Sequence, residues 1–395
     1  VNDSGVKIGA DEISPVTQLF TEDYMVDFLL DNTLGAWHAG KALAANPQLA
    51  ATAQSEEELR QGVALASCPW TYLRFIKTDD GPWAPASGTY EGWPKTAAEL
   101  KCLDPCMGSG HFVVAMFERL VALRIAEEGV SEKTAVGAVI QGNLFGLEID
   151  PRCTQIGAFN LALAAWRHVG YCPLPAMSLA CSGLAPNTSE DAWLDLAGDN
   201  ERLRNGMKQL YQLFDNAAVL GSLINPSAEE SDLLMAGFNE LQPLLEQALM
   251  KESKDDRTNE LAVTARGLAK AAKILSSQFT LVATNPPYLG RGQQDTVLLN
   301  YCKHVHSYAK ADLATCFAER CLSFCSTAAS TSLVTPQNWL FLGGYQNLRE
   351  RFLEQVQWNN VSRLGENGFE SPQAAGAFTA LICLSKTKAS SNEQG

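Results

Sequence analysis

The chain of 395 residues holds 44 acidic against 30 basic side chains, a formal net charge of −14, with 46% hydrophobic and 19% charged residues. This is the make-up of an ordinary globular protein long enough for one to two domains, and it excludes binding nucleic acid through a basic field over the whole surface. No apolar run is long enough to span a bilayer, no basic segment precedes an apolar one at the start, and the 11 cysteines form no CxxC pair or Cys/His cluster at zinc spacing.

Buried thiols in a reducing cytoplasm are therefore expected, with no metal and no membrane contact. The chain starts at Val1, which reads as a processed or excised segment. In chain order, Thr21 before Glu22 and Asp23 reads as a helix N-cap, with Met25, Phe28, Leu29 and Leu30 giving the helix an apolar face. Phe20 and Thr21 are placed at the mouth of a ligand pocket. Residues 40–66 look helical, and residues 67–95 read as an irregular connection pinned by Trp70, Trp83, Trp93 and Trp37.

A short strand then ends in Asp104, followed by a glycine loop, Pro105 to Gly110, and an apolar helix from about His111 through Phe112. Strand, glycine turn and helix open a doubly wound α/β domain. Gly108 and Gly110 let backbone approach a ligand, and Asp104 offers a carboxylate to an ammonium group. No Gly-Lys-Ser/Thr follows, so this is not a nucleotide triphosphate loop. A second strand, Leu144 to Asp150, places Glu148 to grip ribose hydroxyls and Ile149 against a purine face. The helix Cys153 to Trp166 is apolar nearly all round and is expected to be buried. A third strand spans Met177 to Ser182.

Residues 188–275 alternate charge with Leu and Ala at helical spacing, which predicts two or three amphipathic inserted helices; Lys251 to Arg257 reads as a solvated connection. Phe279 to Thr284 is then an uncharged buried strand that ends in Asn285-Pro286-Pro287-Tyr288. Two prolines remove two N–H donors, so the free groups of this loop are acceptors: the Asn285 side-chain oxygen and the backbone carbonyls. Such a loop suits a planar substrate with an exocyclic NH2, on whose face Tyr288 stacks. Downstream, Arg291, Lys303, His304, His306 and Lys310 form a local basic group where a phosphate backbone would pass. A helix over Asp312 to Ala328 carries Phe317; strands follow at Ser332 to Pro336, Val361 to Leu364 and Ala377 to Leu384, with a helix over Leu348 to Val356. The expected fold is a mostly parallel seven-stranded α/β sheet with an antiparallel edge strand.

Taken together, Thr17-Gln-Leu-Phe-Thr21, Asp104-Pro-Cys-Met-Gly-Ser-Gly110-His-Phe112, Glu148-Ile-Asp150-Pro and Asn285-Pro-Pro-Tyr288 resemble the motifs of class I S-adenosylmethionine-dependent methyltransferases, in the group that methylates adenine N6 in DNA. Pro69-Trp-Thr-Tyr-Leu-Arg-Phe75, Ala180-Cys-Ser-Gly-Leu-Ala-Pro186 and Phe369-Glu-Ser-Pro-Gln-Ala-Ala-Gly376 are similar to the methyltransferases of BREX phage-defence systems. The resemblance covers Thr17 to about Lys386. It implies a Rossmann-like domain whose cofactor is S-adenosylmethionine and whose partners are double-stranded DNA, with the target adenine flipped out, and other defence-system proteins. By motif, Thr21 meets the methionine carboxylate, Asp104 and Gly108 the amino-acid end, Glu148 the ribose and Phe317 the adenine ring. Phe20, Pro105, Gly110, Phe112, Ile149 and Asn285 complete the cofactor side. Phe369 joins Tyr288 around the flipped base, with Arg291 and Lys303 on the DNA side. Where relatives carry an acidic residue for the cofactor's adenine amine, this chain has Cys181-Ser182.

The implied organisation is an N-terminal helical region over 1–99 that contributes to the cofactor pocket, a cofactor half over 100–187, a helical insertion over 188–275, a catalytic half over 276–386 and a tail. A target-recognition domain is expected beyond this chain. A methyltransferase of protein glutamine or RNA, and an idle cofactor-binding module of a defence complex, are the alternatives.

Overall fold

Seven segments build one sheet: β1 (Cys102–Asp104), β2 (Leu144–Glu148), β3 (Ser178–Cys181), β4 (Phe279–Thr284), β5 (Cys325–Pro336), β6 (Gln357–Arg363) and β7 (Thr379–Ser385). Their spatial order is β3-β2-β1-β4-β5-β7-β6. The first five pair in parallel, and β7 runs antiparallel to both β5 and β6. The computed structural model describes residues 7–9, 21–79, 81–226, 256–365, 368–369 and 378–388. Strand order reverses between β1 and β4, which opens a crevice at the carboxyl ends of those two strands, where Asp104 and Thr284 lie.

Every residue of β4 and β7 is buried, because helices cover both faces of the sheet. The period of two divides the core accordingly. Leu103, Val282, Leu333 and Ile382 join one apolar cluster, while Cys102, Leu281, Ala283, Val334 and Leu381 join the other. The second cluster belongs to α1 (Asp23–Leu30), α2 (Ala36–Ala45), α3 (His111–Glu128), α4 (Glu132–Gly142) and α5 (Pro151–Val169). The first belongs to α6 (Glu201–Phe214), α7 (Asp256–Ser276), α8 (Thr296–Val305), α9 (Leu313–Phe324) and α10 (Gln346–Gln355). Since α7 packs on β2 and β3, and α6 on α7, the inserted helices supply the missing layer over one face of the cofactor half.

The N-terminal region is organised by a buried polar knot. Between α1 and α2 the chain makes one π-helical turn, Asp31–Gly35. The wider turn frees the Asn32 carbonyl, which accepts from Ser87 Oγ (2.6 Å) and the Tyr90 hydroxyl (2.8 Å). Asp31 accepts from Arg119 of α3 (Nη2, 2.8 Å) and from the Tyr72 backbone N–H (2.9 Å). The indole N–H groups of Trp37, Trp83 and Trp93 donate to Pro94 O, Ala53 O and Ser330 Oγ, so residues 67–95 are stitched to the helices and to β5.

Several expectations are corrected. The antiparallel strand is next to the edge rather than at it. α9 stops at Phe324 and β5 begins at once at Cys325, seven residues earlier than its apolar signal, because Ser326 to Ser330 are small residues with no marked period. α5 is not buried all round: it is an outer-layer helix that seats Gly157, Leu161, Ala164 and Ala165 inward and leaves Ile156, Phe159 and Leu163 exposed. Residues 251–255 of the expected solvated connection lie outside the described residues, and α7 already runs from Asp256.

The layer of α3, α4 and α5 carries a titratable joint. His168 of α5 hydrogen-bonds Glu118 of α3 through Nε2 (2.5 Å) and Glu132 of α4 through Nδ1 (2.6 Å). Partial burial disfavours the imidazolium, but its bonds to Glu132 and Glu118 outweigh that and raise its pKa above the ordinary value. This stabilisation is present in full below the unfolded-state pKa of about 6.5 and is lost as pH rises through the higher folded value. The melting temperature of the wild type should therefore fall more between pH 6 and pH 8 than that of His168→Gln. Parallel slopes in the two proteins would contradict the assignment.

Candidate active site at the carboxyl ends of the parallel strands

β1 delivers Asp104 to the crevice fully buried, with Oδ1 accepting the Cys106 N–H at 3.0 Å. Burial, aided by the charge of Glu148, pushes its pKa up to about 7. The loop beyond it is fixed by backbone bonds from Met107 N to Leu147 O (3.0 Å) and from Gly110 N to Met107 O (2.7 Å). Gly110 needs to be glycine twice over, since its φ is +95° and a Cβ would stand 3.2 Å from the Gly157 Cα of α5. At Gly108 the Cβ direction is open, with no atom within 4 Å. Pro105 and Phe112 are buried, the latter in the α3 core.

β2 ends in Glu148, whose Oε2 accepts from Gly108 N (2.8 Å) and Oε1 from Asp150 N (3.0 Å). One carboxylate thus orders the glycine loop and its own turn, and with a further bond from the Ile149 backbone it keeps one lone pair of its about four for a hydroxyl. Asp150 caps α5 through Arg152 N (2.8 Å). Ile149 is half-buried beside Gly183, where a Cβ would fall 2.1 Å from the Ile149 carbonyl oxygen; only glycine admits this approach.

Cys181 and Ser182 turn their polar atoms inward. The Cys181 thiol donates to Ile149 O (3.4 Å), and the Ser182 hydroxyl, fully buried, pairs with Ser222 Oγ (3.0 Å). Ser222 lies on the turn by which the first inserted helices return to the sheet. Three successive carbonyls of that turn have side-chain donors from the catalytic half: Ser222 O from Arg320 Nε (3.1 Å), Leu223 O from the Tyr301 hydroxyl (2.7 Å) and Ile224 O from Arg320 Nη2 (2.7 Å). Arg320 also donates to Leu275 O (2.9 Å) and stacks 3.7 Å from the Phe324 ring centre; burial lowers its pKa to about 10. Arg320 belongs to none of the sequence motifs, although a lone cation on the apolar run Leu313 to Phe324 is a readable signal.

β4 ends in the Asn285-Pro286-Pro287-Tyr288 loop at the same end of the sheet. Asn285 Nδ2 donates to Thr21 Oγ1 at 3.1 Å, and the Thr21 carbonyl accepts from His111 Nδ1 at 3.2 Å. Thr21 is thus the clasp between the catalytic loop and the helix after the glycine loop. It does not cap α1, whose N-cap position is Glu22. The Tyr288 hydroxyl is buried with no hydrogen-bond partner among the described residues, and burial, with Asp312 nearby, pushes its pKa well up. The segment beyond is held by Leu313 N to Leu289 O (3.0 Å) and by residues 7–9, where Ile8 N donates to Gln293 O (2.7 Å).

Of the remaining candidates, Arg291 and Lys303 are exposed, Phe317 faces the α9 core, and Phe369 is buried beside Gly368, whose carbonyl accepts from the Tyr24 hydroxyl (2.6 Å). His306 leaves the expected basic group: it is buried and bonded through Nδ1 to Glu319 at 3.0 Å. Phe20 lies outside the described residues.

Residues 142–369, more than half of the chain, match the family described as Eco57I restriction-modification methylase. The chain belongs to this family. The matched stretch of this Eco57I-family methylase runs from the approach to β2 past β6, and so holds Glu148, the return turn and the Asn285 loop. The chain is similar to the adenine-specific methyltransferase PglX of Lacticaseibacillus casei (strain Zhang), at 27% identity over 392 residues, 95% of this chain and 30% of the relative. It is also similar to the adenine-specific methyltransferase BrxX of Escherichia coli O9:H4 (strain HS), at 24% identity over 389 residues, 92% of this chain and 30% of the relative. The chain spans about three tenths of the length of these curated relatives. Among solved structures it aligns with the ATP-dependent Type ISP restriction-modification enzyme LlaBIII bound to DNA, at 12% identity and a TM-score of 0.48, over 93% of this chain and 19% of that one. No described helix is long and apolar enough to cross a membrane.

Proposed function

We propose that this methylase transfers a methyl group from S-adenosylmethionine to the N6 amine of an adenine extruded from double-stranded DNA. It acts as the methyltransferase part of a BREX-type phage defence, in the cytoplasm, alongside other proteins of that system. The observation that carries the reading is the end of β4. A fully buried strand sets Asn285 rigidly at the crevice, and its NH2 is engaged by Thr21, which turns Oδ1 the other way.

The crevice fits the cofactor. Asp104, buried and bonded to the Cys106 N–H, suits the ammonium of the methionine end; Gly108 leaves open space above the loop; Glu148 keeps a lone pair for the ribose; Ile149 offers an apolar face for the purine. Phe317 is assigned to the adenine ring. When bound, S-adenosylmethionine supplies an electrophilic sulfonium methyl group. The chain supplies position and electrostatics. Asn285 Oδ1 and the Pro286 carbonyl accept the two N6 hydrogens, which draws the nitrogen lone pair out of ring conjugation. Pro287 adds no competing donor, and Tyr288, with Phe369, flanks the base. Arg291 and Lys303 meet the DNA backbone; with a net charge of −14 such contacts are local.

Because the loop suits any planar amine, the discriminating assay offers labelled cofactor with duplex DNA, RNA and protein, then resolves the product. Label in N6-methyladenosine from DNA is expected. Label in methylated glutamine or in RNA alone would overturn the proposal.

Asp104 gives this reading a pH dependence. Only the ionised carboxylate attracts an ammonium group, so cofactor affinity should rise about tenfold per pH unit below about 7 and level off above it. In Asp104→Asn this acid limb should vanish and binding at pH 8 should weaken about 10- to 100-fold. Calorimetric titration across pH 5.5–8 checks both. An acid limb that persists in Asp104→Asn would assign it to another group.

A further inference from the structure

We infer that Phe341 and Leu342 form a wedge that enters the DNA duplex at the step the extruded adenine leaves; this rests on the reading of the chain as a methylase of duplex DNA. The wedge stands at the catalytic end of the sheet. Thr284, the last residue of β4, is paired with Leu333 of β5, and β5 runs on to Pro336, paired with Thr379 of β7. Those further residues carry β5 about 10 Å past the level at which the Asn285 loop begins. There the chain turns through Gln337–Leu340 and presents Phe341 and Leu342, 53% and 47% exposed. Phe378, 45% exposed, shares the rim, since its carbonyl accepts from Gln337 N at 2.9 Å.

The tip is stiff. Asn338 O accepts from Phe341 N (3.3 Å) and Leu342 N (2.9 Å), Arg349 Nη1 donates to Trp339 O (2.8 Å) and Leu342 O (2.7 Å), and Trp339 is buried. Apolar side chains held in water on a rigid turn suit insertion, because little freedom is left to lose on binding. Gly343 and Gly344 follow, and a Cβ on either would meet no atom within 4 Å, so the surface beside the tip is open to a broad ligand. Charge selects DNA as that ligand. In a chain of net charge −14, the sequence from Arg320 to Arg349 holds no acidic residue, and the next, Glu350, lies on α10 bonded to Gln346. Arg363, at the end of β6, lies over the Phe341 ring, 5.6 Å from its centre. An apolar tip flanked by arginines is the chemistry of a side chain that enters a base stack between phosphates. An extruded base leaves a gap in the stack, and a wedge that fills it keeps the base from returning.

The whole protein and its Phe341→Ala/Leu342→Ala form are compared on a duplex carrying the sequence that the wild type methylates. Both side chains are exposed, so the variant should keep the melting temperature and cofactor affinity of the wild type. Transfer to a paired target adenine should fall about 10- to 100-fold, while transfer to the same adenine opposite an abasic site should stay within about threefold of wild type, since an unpaired base is cheaper to extrude. Equal losses on the two duplexes, or no loss on either, would overturn the inference. A second readout does not need transfer. In Phe341→Cys, alkylation of the new thiol, followed in its own peptide by mass spectrometry, should be fast in the whole protein alone and about tenfold slower with saturating duplex. A thiol already shielded without DNA would give the rim to another part of the protein, and one that DNA does not protect would leave the tip outside the duplex; either result overturns the wedge. Absence of transfer by the wild type to any DNA would count against the methyl-transfer reading instead, and the thiol would still decide whether the tip meets DNA.

Discussion

Asn285→Ala should lower methyl transfer by about 10²- to 10³-fold, the cost of removing one preorganised polar group at a reacting centre, while cofactor affinity stays within a few-fold. The separation follows from the site's division of labour. Asp104, Gly108 and Glu148, at the ends of β1 and β2, hold the cofactor side through bonds to Cys106, to one another and to Asp150. Asn285 bonds to Thr21, so some change in affinity is expected, but the alanine leaves β4 and both prolines in place. Single-turnover transfer at saturating cofactor, with a parallel binding titration, checks the pair of statements. Loss of cofactor binding equal to the loss of rate would make Asn285 a binding residue and remove it from the chemistry.

Arg320→Met should destabilise the protein by about 3–5 kcal/mol, or prevent folding outright. The methionine roughly conserves volume, so little of the effect is a cavity. It comes from the carbonyls of Ser222, Ile224 and Leu275, which are left in the interior without their donor. The inserted helices would come loose from the sheet at the turn where Ser222 meets Ser182. Tyr301→Phe, which removes the donor to Leu223 O, should cost about 1–2 kcal/mol. Denaturant midpoints of the two variants test the order; equal, small losses would mean that the return turn is held by packing alone.

The sheet could be read in the sequence where strands are buried on both faces. Phe279 to Thr284 is uncharged and stops at a proline, and the structure's β4 has those same bounds. The strand ends that carry Asp104 and Glu148 were legible for a related reason: a carboxylate at the end of an apolar run before a glycine or proline has few structural explanations. β5 was half hidden, because Ser326 to Ser330 belong to the sheet through backbone bonds and carry almost no apolar signal. The partners that make the π-turn knot at Asp31, the Arg320 latch and the Ser182–Ser222 pair were not legible, although Arg320 stands out as a lone cation. Each depends on partners from distant parts of the chain, as with Arg320 and Ser222, and no local pattern announces such a meeting. The Thr21–Asn285 contact is the most remote of these. Both residues were singled out from their motifs, yet their hydrogen bond to each other needed the fold.

The account's central claim is best tested in cells. DNA from bacteria that express the whole protein, and from bacteria that express its Asn285→Ala form, is sequenced by a method that reads modified bases directly. The account predicts N6-methyladenine at a recurring sequence motif with the wild type and none with the variant. The same marks in both would contradict it, by placing the methyl-transfer chemistry somewhere other than the loop at the end of β4.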